Sequence, residues 1–114
     1  MTDERDGQTY KTVTIGTQTW MAENLNYDTD ATNCYDGRED LCTIYGGLYK
    51  WGAAMFVCPS GWHLPDTTEW KALLREFSPI QLKSSVGWID GTNESGFSIA
   101  PTGYNETGYN VDYA

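Results

Sequence analysis

The chain contains one histidine, His63, which lies shortly after Cys58 in the segment CPSGWHLP. A thiol and an imidazole that meet in space can form a nucleophile–base pair. Such a pair also needs an open cleft in which a substrate can reach both groups. A structural role for both residues is the stronger interpretation, because closeness in sequence alone supplies neither condition. We therefore predict no catalytic residues and no enzyme activity, and keep an enzyme of unknown reaction as the last alternative.

A second stretch is rich in oxygen ligands, which suit a hard cation such as calcium. The spacing of a calcium-binding loop is approached by Asp28, Asp30, Thr32, Asp36 and Glu39. The sixth position of such a loop, where glycine is expected, is occupied by Asn33, and the flanking sequence does not favour helices. The alternative is a solvated acidic loop. We accordingly predict no metal site and no cofactor.

The number and spacing of the cysteines indicate whether the chain binds zinc or forms a disulfide, and in which redox environment it works. The chain has three of them, an odd number, and their spacing matches no zinc motif. Cys34 and Cys42 enclose a short polar loop, so we predict a disulfide between them and an oxidising environment. Free thiols are the alternative. Cys58 is predicted to be unpaired.

Composition limits the classes of partner. The net charge is −9, which opposes binding to nucleic acid or to an anionic membrane surface. No apolar run is long enough to cross a bilayer, so we predict no membrane insertion. Aliphatic residues are few, but five Trp, eight Tyr and three Phe predict an aromatic core rather than disorder. Residues 1–114 are predicted to form a single domain.

Local patterns predict the elements that position these residues. Strand-forming residues within 8–21 predict a hairpin, with Gly16-Thr17 as its two-residue turn. Residues 22–43 show no sustained hydrophobic periodicity and are predicted to be a long loop. Residues 46–55 are predicted to be a helix with Leu48, Trp51 and Met55 on one face, and a buried strand is the alternative.

The strongest local signal predicts a helix at residues 66–77. Asp66 is a good N-cap, and Glu69 three positions later completes a capping box. An apolar face is formed by Trp70, Leu73, Leu74 and Phe77. Ser78-Pro79 ends the helix. Beyond residue 82 we expect turns and short strands, including one around Phe97 and Ile99.

Five blocks of sequence resemble the Fibrobacter succinogenes major paralogous domain. They are DGQTYKTVxIGxQxWMAENLNY (6–27), YGxLYxWxAAM (45–55), VCPxGWHLP (57–65), LKSxxGW (82–88) and GTxxxGFS (91–98). That family is similar to secreted or surface-attached bacterial proteins and has no established activity. Its Trp-His-Leu-Pro segment also resembles formylglycine-generating-type domains. The resemblance implies an α+β fold, namely a β-rich, C-type-lectin-like domain with two short helices, an N-terminal hairpin and long loops.

The resemblance also implies roles for particular residues. The Pro-Ser-Gly turn after Cys58 is a structural signature of the family. Members usually continue past the length of this chain and carry a late cysteine, which is the natural partner of Cys58. We therefore expect an N-terminal part of the domain or a shortened variant. The copper-binding cysteines of formylglycine-generating enzymes have no counterpart here, so that activity is not carried over.

Aromatic residues in the turn-rich sequence are the candidate ligand-binding residues. Trp88, Tyr104 and Tyr109 lie among polar residues, where rings can stack on sugars or anchor a protein. The alternative is that they cover the core, as we expect of Trp20, Trp51, Trp62 and Trp70. We predict an extracellular or cell-surface module for adhesion or recognition of a glycan or protein. A structural spacer in a larger surface protein is the alternative function.

Overall fold

The computed structural model describes residues 1–30, 32–102, 104–106 and 109–111, and only the backbone of the last two ranges. The strands are β1 (Thr12–Ile15), β2 (Gln18–Met21), β3 (Thr32–Asn33), β4 (Leu48–Tyr49), β5 (Tyr104–Glu106) and β6 (Tyr109–Val111). The helices are α1 (Glu39–Tyr45), α2 (Trp51–Ala54), α3 (Thr67–Glu76) and α4 (Pro79–Leu82), with a 3-10 turn at Tyr35–Gly37. In the described part of the chain the strands form three two-stranded antiparallel sheets, β1-β2, β3-β4 and β5-β6. The predicted α+β class is confirmed in this form.

The N-terminal hairpin is confirmed. β1 and β2 pair in the register Val13↔Trp20 and Ile15↔Gln18, joined by the two-residue turn Gly16-Thr17. Gly16 has a φ of 61°, a conformation that glycine adopts at little cost. Since side chains alternate along a strand, this register places Ile15 and Trp20 on the same buried face.

Helix α3 is also confirmed, because its capping box forms as the sequence predicts. The Asp66 carboxylate accepts a hydrogen bond from Glu69 N–H at 2.8 Å, and the Glu69 carboxylate accepts one from Asp66 N–H at 2.8 Å. The predicted apolar face is only partly buried. Leu73 is fully buried, whereas Leu74 is 52% exposed and Trp70 is 39% exposed.

The core joins the hairpin to the C-terminal half of the chain. Its buried residues are Ile15, Trp20, Leu73, Leu82 and Phe97. The predicted strand around Phe97 is wrong, since Phe97 is buried in a non-strand segment. Ile99 makes only an isolated bridge, to Lys83. The hairpin, α3, α4 and this segment thus share one small apolar centre.

The predicted long loop at residues 22–43 is wrong in its second half. This half contains β3, the 3-10 turn and the first five residues of α1. Helix α1 has no apolar face, because Cys42 is its one buried residue. Glu39 and Asp40 lie in its first turn, where acidic side chains favour the helix dipole. The Cys34–Cys42 disulfide is confirmed, with Cα atoms 5.0 Å apart.

The predicted helix at residues 46–55 is wrong in extent. Gly46 has φ 78° and ψ −177°, which no helix allows, and Leu48–Tyr49 forms a strand. Only Trp51–Ala54 is helical. The expected packed face does not exist either, because Trp51 is 74% exposed and Met55 is 53% exposed.

Reduction of the disulfide is expected to loosen residues 32–45 and to leave α3 intact. The bridge holds α1 against the segment that precedes it, and none of the core residues comes from this region. A cross-link of this span contributes about 2–3 kcal/mol in the chain-entropy account. Amide hydrogen exchange with and without a phosphine reductant measures the effect residue by residue. Loss of protection throughout α3 would contradict it.

The N-terminus is held by a buried carboxylate. The Asp3 side chain is 1% exposed and accepts hydrogen bonds from Arg5 Nε at 2.9 Å and Arg5 Nη2 at 2.6 Å. The guanidinium also lies 3.7 Å from the centroid of the Tyr27 ring, a cation–π geometry. These contacts tie residues 3–5 to the loop after β2. The Arg5 guanidinium beside Asp3 lowers the pKa of this carboxyl from its ordinary value of 3.8.

This pair predicts a loss of stability in acid. Because the folded-state pKa of Asp3 is depressed, the unfolded chain binds a proton more readily, so stability rises with pH. The contribution is complete above about pH 5 and is lost as the pH falls through the folded-state pKa, below 3.8. Thermal melts between pH 6 and pH 2.5 should show a smaller acid-induced fall for Asp3→Asn than for the parent. Equal falls would contradict this role.

Candidate functional site

An open groove of about 690 Å3 runs between β2 and the segment 57–65. All four residues of β2 line one side, and residues such as Val57, Cys58 and Trp62 line the opposite side. Trp70 and Phe97 also line it. A volume of this size lies in the range of ligand sites, which typically combine apolar walls with a few polar groups. We call this feature the aromatic groove.

Three packed rings join the aromatic groove to the core. The Trp20 ring lies 5.1 Å from Trp70 and 5.2 Å from Phe97, measured between centroids, and the contact with Phe97 is edge-to-face. Gln18 holds this arrangement from β2. Its side chain accepts a hydrogen bond from Trp20 Nε1 at 3.1 Å and donates one to the Glu69 carbonyl at 3.4 Å. The hairpin and α3 are therefore fixed to each other beside the groove.

The opposite wall is shaped by a tight turn. Trp62 N–H donates to the Pro59 carbonyl at 3.0 Å, and Gly61 between them has a φ of 83°. A positive φ at the third turn position is the requirement of a type II turn, and glycine meets it readily. The turn leaves Trp62 half-buried among the residues that line the groove. It is therefore a structural feature that presents an aromatic side chain.

A polar edge borders the rings. His63 Nε2 lies 2.5 Å from Glu69 Oε1, while the second oxygen of Glu69 accepts the capping hydrogen bond from Asp66 N–H. His63 is 71% exposed and Glu69 is 28% exposed, so both are open to a ligand. The same carboxylate therefore caps a helix and borders the groove.

Among the described residues that line the aromatic groove, no thiol or threonine hydroxyl is hydrogen-bonded to a histidine or a carboxylate. Cys58, half-buried in the wall, is a free thiol whose pKa is raised by burial, so it is protonated at neutral pH and a poor nucleophile. His63 forms its contact with Glu69, and no hydrogen bond joins it to Cys58 in the described residues. Burial raises the pKa of Tyr49 to about 12, and its hydroxyl donates to the Tyr27 carbonyl at 2.7 Å.

The charges along the aromatic groove are negative. Glu23 and Glu69 line it, and none of its described lining residues is a lysine or an arginine. The whole chain carries a net charge of −9. An anionic ligand would be repelled, so the groove favours a neutral or basic one.

A comparison with protein-family models identifies the family. The model described as the Fibrobacter succinogenes major domain matches residues 13–114. The chain belongs to this family. The match covers all of the hairpin except Thr12, both walls of the aromatic groove and all four helices. No curated protein and no solved structure matched the chain.

In this Fibrobacter succinogenes major domain Trp88, one of the predicted ligand-binding residues, does not line the groove. Trp88 is half-buried, its indole N–H donates to the Ile99 carbonyl at 2.7 Å, and Lys83 Nζ lies 4.8 Å from its ring centroid. The side chains of Tyr104 and Tyr109 lie outside the described residues. Their ligand-binding role stays a prediction.

The calcium alternative gains no support from the described part of the family domain. No three His, Cys, Asp or Glu side chains come together there in a way that could hold a metal ion. Asp36, one of the proposed ligands, lies in the 3-10 turn with a φ of 56°. Likewise, no helix among the described residues is long and apolar enough to cross a membrane.

Sequence reasoning assigned the groove tryptophans of this domain to the core. Trp20 is buried at 8% exposure, as expected, but Trp62 and Trp70 are partly open to the groove. The expectation for Trp51 is wrong, since it is largely exposed. The available signal was the position of Trp62 between the Pro-Ser-Gly turn and Pro65, because loop residues on rigid supports often carry function.

Proposed function

We propose that this chain is a non-catalytic recognition module that acts outside the cell or on its surface, in adhesion to a protein or a glycan. The aromatic groove is its ligand site. The proposal includes the C-type-lectin-like architecture that the sequence resemblance implies. The disulfide between Cys34 and Cys42 is in keeping with an oxidising compartment.

One observation carries the proposal, namely an open aromatic groove whose described lining holds no nucleophile hydrogen-bonded to a base. Trp62 and Trp70 offer ring surface, and His63 and Glu69 offer hydrogen-bonding groups at its edge. This combination of large rings and a polar border is typical of binding sites. Cys58, the one thiol on the groove, is not positioned against a base in the described residues.

A structural spacer is the second candidate, and Trp88 favours it. Its ring is half-buried and its N–H is satisfied by a backbone carbonyl, so it is part of the fold rather than a free ligand contact. A spacer would bind nothing in the aromatic groove. The two functions therefore differ in a direct binding experiment.

The experiment is a titration of the isotope-labelled chain, followed by the amide and indole N–H resonances. The ligands are neutral hexasaccharides of glucose, xylose and mannose, and short extended peptides. Recognition predicts saturable shifts at Trp62 and Trp70 with one of the two classes. A spacer predicts no saturable shift with either class, and release of shorter products would indicate an enzyme.

A pair of tryptophan variants tests the location of binding. Trp62→Ala should weaken binding about tenfold or more, because aromatic anchors dominate binding energies. Trp51→Ala is the matched control, since Trp51 is 74% exposed and does not line the groove. Equal weakening by both variants would contradict the assignment of the site.

A further inference from the structure

Resting on the proposed function, we infer that the ligand of the aromatic groove is an extended segment of a partner protein. The segment adds as a third strand to the outer edge of β2. It carries apolar residues at alternate positions and no acidic residues. This assigns the binding mode, main-chain pairing at a sheet edge, as well as the chemical class of the ligand.

The backbone of β2 has unused hydrogen-bonding groups. Ala22 N–H donates to the Lys11 carbonyl at 2.8 Å, so the hydrogen-bonded pairs along the hairpin are 11/22, 13/20 and 15/18. Thr19 and Met21 belong to the alternate, non-hydrogen-bonded pairs. Their N–H and C=O groups therefore point away from β1. No hydrogen bond within the described residues uses these four groups.

This unpaired edge faces the aromatic groove. All four residues of β2 line the groove, and no residue of β1 does. Because consecutive side chains point to opposite faces of a sheet, a groove lined by every residue of one strand is bordered by its edge. A row of free N–H and C=O groups at strand spacing is matched best by another strand. A sugar presents no such regular row.

The side chains beside the edge require an alternating ligand. Trp20 faces the core side of the hairpin, next to Trp70, whereas Thr19 is exposed on the other side. Every second residue of an added strand would lie beside Trp20 and over Trp70, which is 39% exposed. Apolar residues fit these positions and polar residues fit the others.

Charge decides which polypeptide fits. Glu23 and Glu69 line the groove without a lysine or arginine among its described lining residues, so a segment with basic ends is favoured. A second copy of this chain also carries a net charge of −9, so like charges oppose the association of two copies. The structure therefore favours a basic or neutral segment of a different protein.

The probe is the end-blocked peptide Lys-Val-Thr-Val-Thr-Val-Lys, titrated into the labelled chain. In an antiparallel addition with valines on the core side, the threonine N–H groups face β2 and the valine N–H groups face away. N-methylation of the threonines should therefore abolish binding, and N-methylation of the valines should leave it within about twofold. The reverse pattern would mean parallel addition, which still supports a third strand. Equal tolerance of both methylated peptides would overturn the inference.

A matched pair of protein variants tests whether the outer edge of β2 is where the peptide binds. Thr19→Pro removes an outward N–H of β2 and no backbone hydrogen bond of the hairpin, since proline is tolerated at strand edges. It also removes the 3.4 Å contact between the Thr14 and Thr19 hydroxyls, which Thr14→Pro removes as well. It should weaken binding of the peptide about tenfold or more. Thr14→Pro removes the corresponding N–H from the free edge of β1, directly opposite Thr19, and should change binding by less than about twofold. Thermal melts confirm that both variants fold.

The remaining outcomes separate this inference from the proposed function. Saturable binding of a hexasaccharide in the groove, with no binding of the peptide, overturns strand addition and leaves the recognition function standing. Sedimentation of the chain alone that shows a dimer lost in Thr19→Pro assigns the edge to a second copy and overturns the partner segment. If neither class of ligand binds, both proposals fail.

Discussion

Replacement of Leu73 by alanine is expected to destabilise the domain by about 2–5 kcal/mol, the usual cost of emptying a packed leucine site. Leu73 has no exposed surface, and it packs in the cluster that contains Trp20 and Phe97. The loss combines the apolar area returned to water with the cavity that rigid aromatic neighbours cannot fill. Urea unfolding followed by tryptophan fluorescence gives the free energy of unfolding.

The next residue along α3 supplies the control. Leu74 is 52% exposed, so Leu74→Ala should cost less than about 1 kcal/mol. Both substitutions remove the same atoms from the same helix and have the same effect on helix propensity. The difference between the two free energies therefore measures burial alone. Similar values for the two variants would mean that α3 is rotated from the orientation described.

Gly46→Ala should destabilise the domain by about 2–6 kcal/mol, because two costs combine at this position. The residue has φ 78° and ψ −177°, a region open almost only to glycine. A Cβ atom built there lies 2.6 Å from the Cβ of Asn24 and 2.8 Å from the Leu25 carbonyl oxygen. The Leu25 atom belongs to the backbone, so relief of the clash requires movement of the main chain.

Gly16→Ala separates these two costs. Gly16 also has a positive φ, 61°, but a Cβ atom there meets nothing within 4 Å. Its substitution should cost about 1–2 kcal/mol, from the backbone conformation alone. Thermal or urea unfolding of the two variants gives the comparison. A Gly46→Ala domain as stable as Gly16→Ala would show that the chain at residues 24–25 moves freely.

The elements that sequence predicted well are those fixed by local chemistry. The Gly16-Thr17 turn sets the register of the hairpin, and the reciprocal bonds of Asp66 and Glu69 start α3. Each signal involves residues at most three positions apart. Neither requires knowledge of the tertiary structure, so both could be predicted from the chain alone.

The errors at residues 22–55 have the opposite origin. Helix α1 has no apolar period, and it is connected to the preceding segment through the disulfide at Cys42. The helix predicted from residue 46 is interrupted because Gly46 packs against Asn24 and Leu25, which are distant in sequence. Contacts of this kind override local preference and leave no periodic signal.

The sequence allowed the rings of the aromatic groove to be identified, but not the way in which they come together. Sequence identified Trp20, Trp62 and Trp70 as important rings but placed all of them in the core. Which rings stay open depends on how the hairpin, α3 and the turn at residues 59–62 pack together. That arrangement rests on contacts such as the Gln18 bridge to Glu69, which spans 51 positions of sequence.

Glu69 caps helix α3 with one carboxylate oxygen and borders the groove with the other. One of its carboxylate oxygens is engaged by the helix cap at Asp66, and the other contacts His63 at the border of the groove. A ligand group can therefore displace His63 while the cap persists. Substitution of His63 should therefore change the border of the groove and leave the capping hydrogen bonds of α3 in place.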